Sequence, residues 1–159
     1  MAHPVVEQLR FTRGEWKHFG QMNSIGWIVG HLAWHEQRTL LYRPQGILLA
    51  PELQEEFFSG APMSTPSIAK MLRLWRKITK TSEPFLDSLS TKDLLKDLPI
   101  NGKSVGQTQG DVIRRMTYHY WFHIGEIQSI RQMLGHKKLA IYVGSLEAKA
   151  PYRPETKAD

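Results

Sequence analysis

The chain has 159 residues, 21 Lys plus Arg against 15 Asp plus Glu, a formal net charge of +6 and 41% hydrophobic residues. That length is enough for one compact domain, residues 1–159, whose core needs no covalent staples. With no cysteine, the chain excludes disulfides, cysteine-ligated zinc, iron–sulfur clusters and a thiol nucleophile of its own.

Leu9, Phe11, Trp16 and Phe19 predict a first helix over about residues 5–19, weakened at Gly14 by roughly 1 kcal/mol relative to alanine. The opening Met-Ala-His-Pro-Val-Val-Glu has no basic stretch followed by an apolar core, so a cytoplasmic protein without a secretory leader is expected. Asn23 or Ser24 can cap a second helix reaching about Tyr42, with Ile25, Ile28, Val29, Leu32, Ala33, Leu40 and Leu41 at helical spacing. Its uncharged run, Asn23 to Ala33, falls well short of the roughly 20 residues that a membrane span needs. Pro44 and Gly46 are expected to end it.

A long loop with a helical turn near Glu52–Phe58 follows, punctuated by Pro51, Gly60, Pro62 and Pro66. Thr65 before Pro66 reads as the start of a third helix running to about Asp87. Ile68, Met71, Leu72, Trp75 and Ile78 form its apolar face, opposite a basic row of Lys70, Arg73, Arg76, Lys77 and Lys80. Such a row is usually a solvated helix face, and a nucleic-acid-binding module is the distant reading of it. A short helix after Thr91 and a tight Asn101-Gly102 turn come next. Thr108 and Asp111 then approximate a capping box for a last long helix, which Gly135 ends after Leu134. Four main helices and no convincing strand pattern predict an all-α four-helix bundle.

Four of the seven histidines form two pairs spaced by four, His31 with His35 and His119 with His123. That spacing puts both rings of a pair on one helix face. His119 and His123 share the spacing of Val112, Met116, Tyr120, Ile127, Ile130 and Leu134, which places them within the buried stripe. Inward imidazoles must be hydrogen-bonded or ligated, since a bare buried polar group costs on the order of 1–3 kcal/mol. A divalent metal held by His119, His123 and a third donor satisfies both. His31, on the more apolar part of the second helix, is preferred as that donor. His35, beside Glu36, is left as a neighbour of the ligands at the site mouth, and Glu126 as a group that orients an imidazole or relays a proton. The bland alternative is buried histidines bonded to core carbonyls, Tyr118, Tyr120 or Glu126. For Trp27, Trp34, Trp75, Tyr118, Tyr120, Trp121 and Phe122 core filling is the default, with Trp75 and Tyr118 taken as pocket walls.

Two segments, Ser24-Ile25-Gly26-Trp27-Ile28-Val29-Gly30-His31-Leu32-Ala33 and Tyr118-His119-Tyr120-Trp121-Phe122-His123-Ile124-Gly125-Glu126, resemble the histidine-bearing helices of the DinB-like superfamily of metal-dependent four-helix bundles. Leu134-Gly135-His136 and Pro151-Tyr152-Arg153-Pro154 resemble its ending, so the likeness covers most of the chain from about residue 23. The resemblance implies His31, His119 and His123 as ligands of nickel, zinc, iron or manganese, with water completing the shell, commonly in a homodimer. It also implies a small-molecule substrate. Some relatives are transferases or isomerases that use a small thiol such as bacillithiol or mycothiol, which here would have to be external. The sequence departs from the family in its short first helix and in His35, which leaves a fourth histidine ligand open. The expectation is therefore a metal-dependent hydrolase or thiol transferase, against a non-catalytic bundle whose metal is structural or sensing.

Overall fold

The computed structural model describes residues 22–140 and 146–149. The expected helix over 5–19 and the closing Pro151–Pro154 segment lie outside the described residues. Within them the chain is all-α, with two isolated bridges and no strand.

Helix α1 (Ile25–Glu36) starts on Ser24, whose Oγ accepts from the Trp27 amide at 3.1 Å and donates to the Ser64 carbonyl at 2.8 Å. Every residue of α1 except His35 is buried, so it is the central rod of the core rather than a one-faced surface helix. It continues as a π-helical segment (Gln37–Tyr42) and a last turn, α2 (Arg43–Gln45). Pro44 therefore does not end the helix as expected. The wider π turn bonds the Arg43 amide to the Arg38 carbonyl, and the chain stops only at Gly46, at φ +70°. Gln37, fully buried, ties the following loop back onto this segment: its Nε2 donates to the Ala50 carbonyl at 3.0 Å, and its Oε1 accepts from the Leu49 and Ala50 amides at 2.9 and 2.8 Å.

The loop carries one helical turn, α3 (Leu53–Glu56), from which Leu53 and Phe57 enter the core. Helix α4 (Ile68–Ser88) is capped by Ser67 rather than Thr65. The loop is still crossing α1 at Pro66, so closely that a methyl on Gly26 would lie 2.4 Å from the Pro66 carbonyl oxygen. Met71 and Ile78 are buried, with Ile68, Leu72 and Trp75 packed partly against the core, while the basic row faces solvent. Helix α5 (Thr91–Leu94) follows, then a tight turn closed by reciprocal Ile100 and Lys103 bonds of 2.9 and 3.0 Å, with Asn101 and Gly102 at positive φ. Helix α6 (Gln109–Met133) opens on the Thr108–Asp111 capping box, and Gly135 follows at φ +71°. Helix α7 (Leu146–Lys149) is the last described element.

Helix α6 buries Val112, Met116, His123 and Ile130 against α1 and its surroundings. Trp121 and Phe122 are not core filling as expected, being 41% and 65% exposed, and Tyr118, expected as a pocket wall, is 66% exposed. They stand on the turns of α6 that face away from the Met116–His123 stripe. None of the described helices is long and apolar enough to cross a membrane.

Candidate metal centre

The periodicity that buries one stripe of α6 turns His119 and His123 toward α1, where His31 lies between Trp27 and Trp34. The Trp27 and His31 rings stack with centroids 5.0 Å apart, and the His31 and Trp34 rings with centroids 5.3 Å apart. Both indoles are held in turn, Trp27 Nε1 donating to the Pro62 carbonyl at 3.1 Å and Trp34 Nε1 to Gln54 Oε1 at 3.0 Å. The His119 Nε2 then lies 3.1 Å from His31 Nε2 and 2.9 Å from His123 Nε2. The three rings offer donor atoms all within 4.8 Å of one another and could hold a metal ion.

The far side of two of these rings fixes which nitrogen carries the proton. His31 Nδ1 lies 2.7 Å from the Phe57 carbonyl oxygen, which can only accept, so Nδ1 is the protonated nitrogen and Nε2 presents a lone pair. His123 Nδ1 faces the Glu126 carboxylate in the same way, so its Nε2 is also bare. Burial depresses all three histidines, His119 and His123 to about 4, so each ring is neutral near pH 7. Like charges on neighbouring rings add to the burial effect for His119 and His123; for His31 the Phe57 bond and Glu126 oppose it.

His119 Nε2 therefore faces two lone pairs with at most one proton. One of its two contacts cannot be a hydrogen bond. A cation among the three nitrogens removes that conflict. Two imidazoles bonded at about 2.0–2.1 Å to one ion have nitrogens roughly 2.8–3.4 Å apart for bond angles between 90° and tetrahedral, a range that contains the 3.1 and 2.9 Å separations of His119 Nε2 from His31 and His123. The donor set thus fits a divalent first-row metal.

His35 is not part of that group. Its ring packs beside His119 with centroids 4.4 Å apart, and Nδ1 of both His35 and His119 is buried without a hydrogen-bond partner among the described residues. Burial, reinforced by the neighbouring histidines and by Arg38 and Arg115, pushes His35 down to about 3. A cavity of about 200 Å³ opens here, with His31, His35 and His119 at its floor and Trp34, Arg38 and Arg115 among its walls.

Trp75 and Tyr118, expected as pocket walls, are not among the residues lining this cavity. Trp75 Nε1 donates to the Tyr120 hydroxyl at 2.6 Å, and that hydroxyl donates to buried Glu36, whose other oxygen accepts from Ser82 Oγ at 3.1 Å. Burial raises Glu36 above the ordinary carboxyl range, and Tyr120 is raised by burial and by the Glu36 charge. Tyr118 points away on the exposed face of α6. Arg38 and Arg115 also line the cavity, and their signal is present in the sequence: Arg38 lies three residues after His35, and Arg115 four before His119, each on its histidine face.

Neither the curated proteins nor the solved structures contain a significant match to the chain. A profile of the DinB superfamily matches residues 2–127, which include all three convergent histidines and most of the chain. The chain belongs to the DinB superfamily.

Proposed function

We propose that this protein binds one divalent metal ion through His31, His119 and His123 and is a metal-dependent enzyme, a hydrolase or a transferase or isomerase using an external small thiol, built as a four-helix bundle that works as a homodimer. The observation that carries this reading is the convergence of three neutral imidazole Nε2 atoms, two of them fixed as lone pairs by Phe57 and Glu126. A bound ion with an open position supplies Lewis acidity that turns water or a thiol into a nucleophile near neutral pH.

The chain's own residues prepare that chemistry. The Phe57 carbonyl and the Glu126 carboxylate orient two ligand rings from behind. Because Glu126 meets Nδ1, on the far side of His123 from the cluster, it acts as a positioning residue and not as the group that handles the substrate's protons. The stacked Trp27 and Trp34 faces shield His31 from water, leaving approach through the cavity beside His119. That opening favours a reacting site over a closed structural or sensing one.

Elemental analysis of protein purified without an affinity tag tests the assignment. About one metal equivalent per chain is expected, falling to background in a folded His119→Ala variant. Unchanged metal content in that variant would reject the site.

A further inference from the structure

The cavity beside the histidines is walled by Arg38, Arg43 and Arg115, and among the described residues no Asp or Glu lines it. Among the described residues the ion pairs are Lys96–Asp93 and His123–Glu126, so none of the three guanidinium groups is ion-paired with a carboxylate, and only Arg43 feels one nearby, Asp97. Arg43 is engaged: its guanidinium donates to the carbonyls of Leu98 and Pro99 and so supports the loop on the far wall. Arg38 lies over the Trp34 ring, 5.6 Å from its centroid, a contact that fixes the plane while leaving the N–H edges unused. Arg115, one turn before His119 on α6, makes no hydrogen bond or ion pair with a described residue.

Three permanently charged groups around one small opening repel one another, and the fields of Arg38 and Arg115 fall on the neutral His35 ring. Such an arrangement is relieved by an anion. Guanidinium groups match carboxylate and phosphate oxygens in particular, because two parallel N–H bonds can be made at once. Thr39, Ser59 and Gln107 line the same space and add neutral donors.

We propose that this cavity is an oxyanion-binding subsite in which Arg38 and Arg115 grip a carboxylate or phosphate of the substrate, placing the rest of the molecule beside His31 and His119. The claim that the bound molecule is the substrate rests on the metal-centre reading above; the claim that the cavity takes an anion does not. At about 200 Å³ the space suits a compact anionic group rather than an extended ligand.

The test is a titration of the full-length, tag-free protein with benzoate, phenylphosphate and the neutral isostere benzamide. Intrinsic tryptophan fluorescence, to which Trp34 at the cavity contributes, is the readout, both after chelator dialysis and with zinc added. At least one of the two anions should saturate in both preparations while benzamide does not. Arg115→Gln and Arg38→Gln, checked for native helicity by circular dichroism, should each weaken anion binding on the order of 10-fold. Benzoate alone or phenylphosphate alone would assign the subsite to that group, and both would assign it to oxyanions generally. Equal binding of benzamide, no binding of either anion, or unchanged affinity in both variants would overturn the inference, whatever the zinc result. Arginine-dependent anion binding in a protein that takes up no zinc would keep the subsite and overturn the metal centre.

Discussion

Gly30 sits one residue before His31 on the fully packed side of α1, and replacing it with alanine should separate packing from helix propensity. A methyl there would lie 2.6 Å from both Cδ1 and Cε1 of Phe57 and 3.0 Å from Met71 Sδ. Carbon atoms normally approach no closer than about 3.5 Å, and Phe57 and Met71, at 1% and 2% exposure, have no free space to retreat into. Overpacking of this kind costs about 1–3 kcal/mol or more, whereas alanine in place of glycine inside a helix gains about 1 kcal/mol. An approach of 2.6 Å to two ring carbons belongs at the upper end of that range, so packing wins with a net loss of about 2 kcal/mol, or about 4–8 °C in Tm for a domain of this size. The matched control is Gly125→Ala on α6, where a methyl meets nothing within 4 Å among the described residues. There only propensity acts, so a rise of about 0.5–1 kcal/mol is expected. Because the ring that must move belongs to the residue whose carbonyl holds His31 Nδ1, Gly30→Ala should also weaken zinc binding, and Gly125→Ala should not. Thermal unfolding of the metal-free proteins and zinc titration in a competing chelator measure both effects. If Gly30→Ala were as stable as Gly125→Ala and bound zinc as tightly as the wild type, the packing of Phe57 against α1 and its support of His31 would be refuted.

Removing the carboxylate behind His123 with Glu126→Ala should weaken metal affinity about 10- to 100-fold without emptying the site; chelator competition reads this, and wild-type affinity would deny the orienting role. Tyr120→Phe strips a partner from both Glu36 and Trp75 and should cost about 1–3 kcal/mol in urea unfolding, with an unchanged midpoint counting against the network. His35, His119 and His123 are depressed below 6.5 to about 3, 4 and 4, so the folded state favours their neutral forms. Their contribution to stability is therefore full above about pH 6.5 and is lost as pH falls toward 4. The Tm of the metal-stripped protein should drop across that window, less steeply in His35→Asn; a flat profile would contradict the burial of these rings.

Local signals in the sequence located the helices, because caps and the 3.6-residue period act within a turn or two of the residues that carry them. Ser24, the Thr108–Asp111 box and Gly135 mark their helix ends in the structure as their side-chain and backbone chemistry requires. Pro44 and Thr65 misled for reasons that lie elsewhere in the chain: a π segment carries the helix past Pro44, and the close crossing of α1 at Pro66 delays the next start to Ser67. The inward placement of His119 and His123 was legible for the same local reason. Their meeting with His31, 88 residues from His119, was not geometrically determined by either helix alone. Nor could spacing reveal that a loop carbonyl at Phe57 fixes the His31 tautomer, that Trp75 turns to Tyr120 and Glu36, or that Tyr118, Trp121 and Phe122 face outward. Periodicity states which residues share a face; which faces meet, and therefore where charge, lone pairs and empty space coincide, is decided only when the whole core packs.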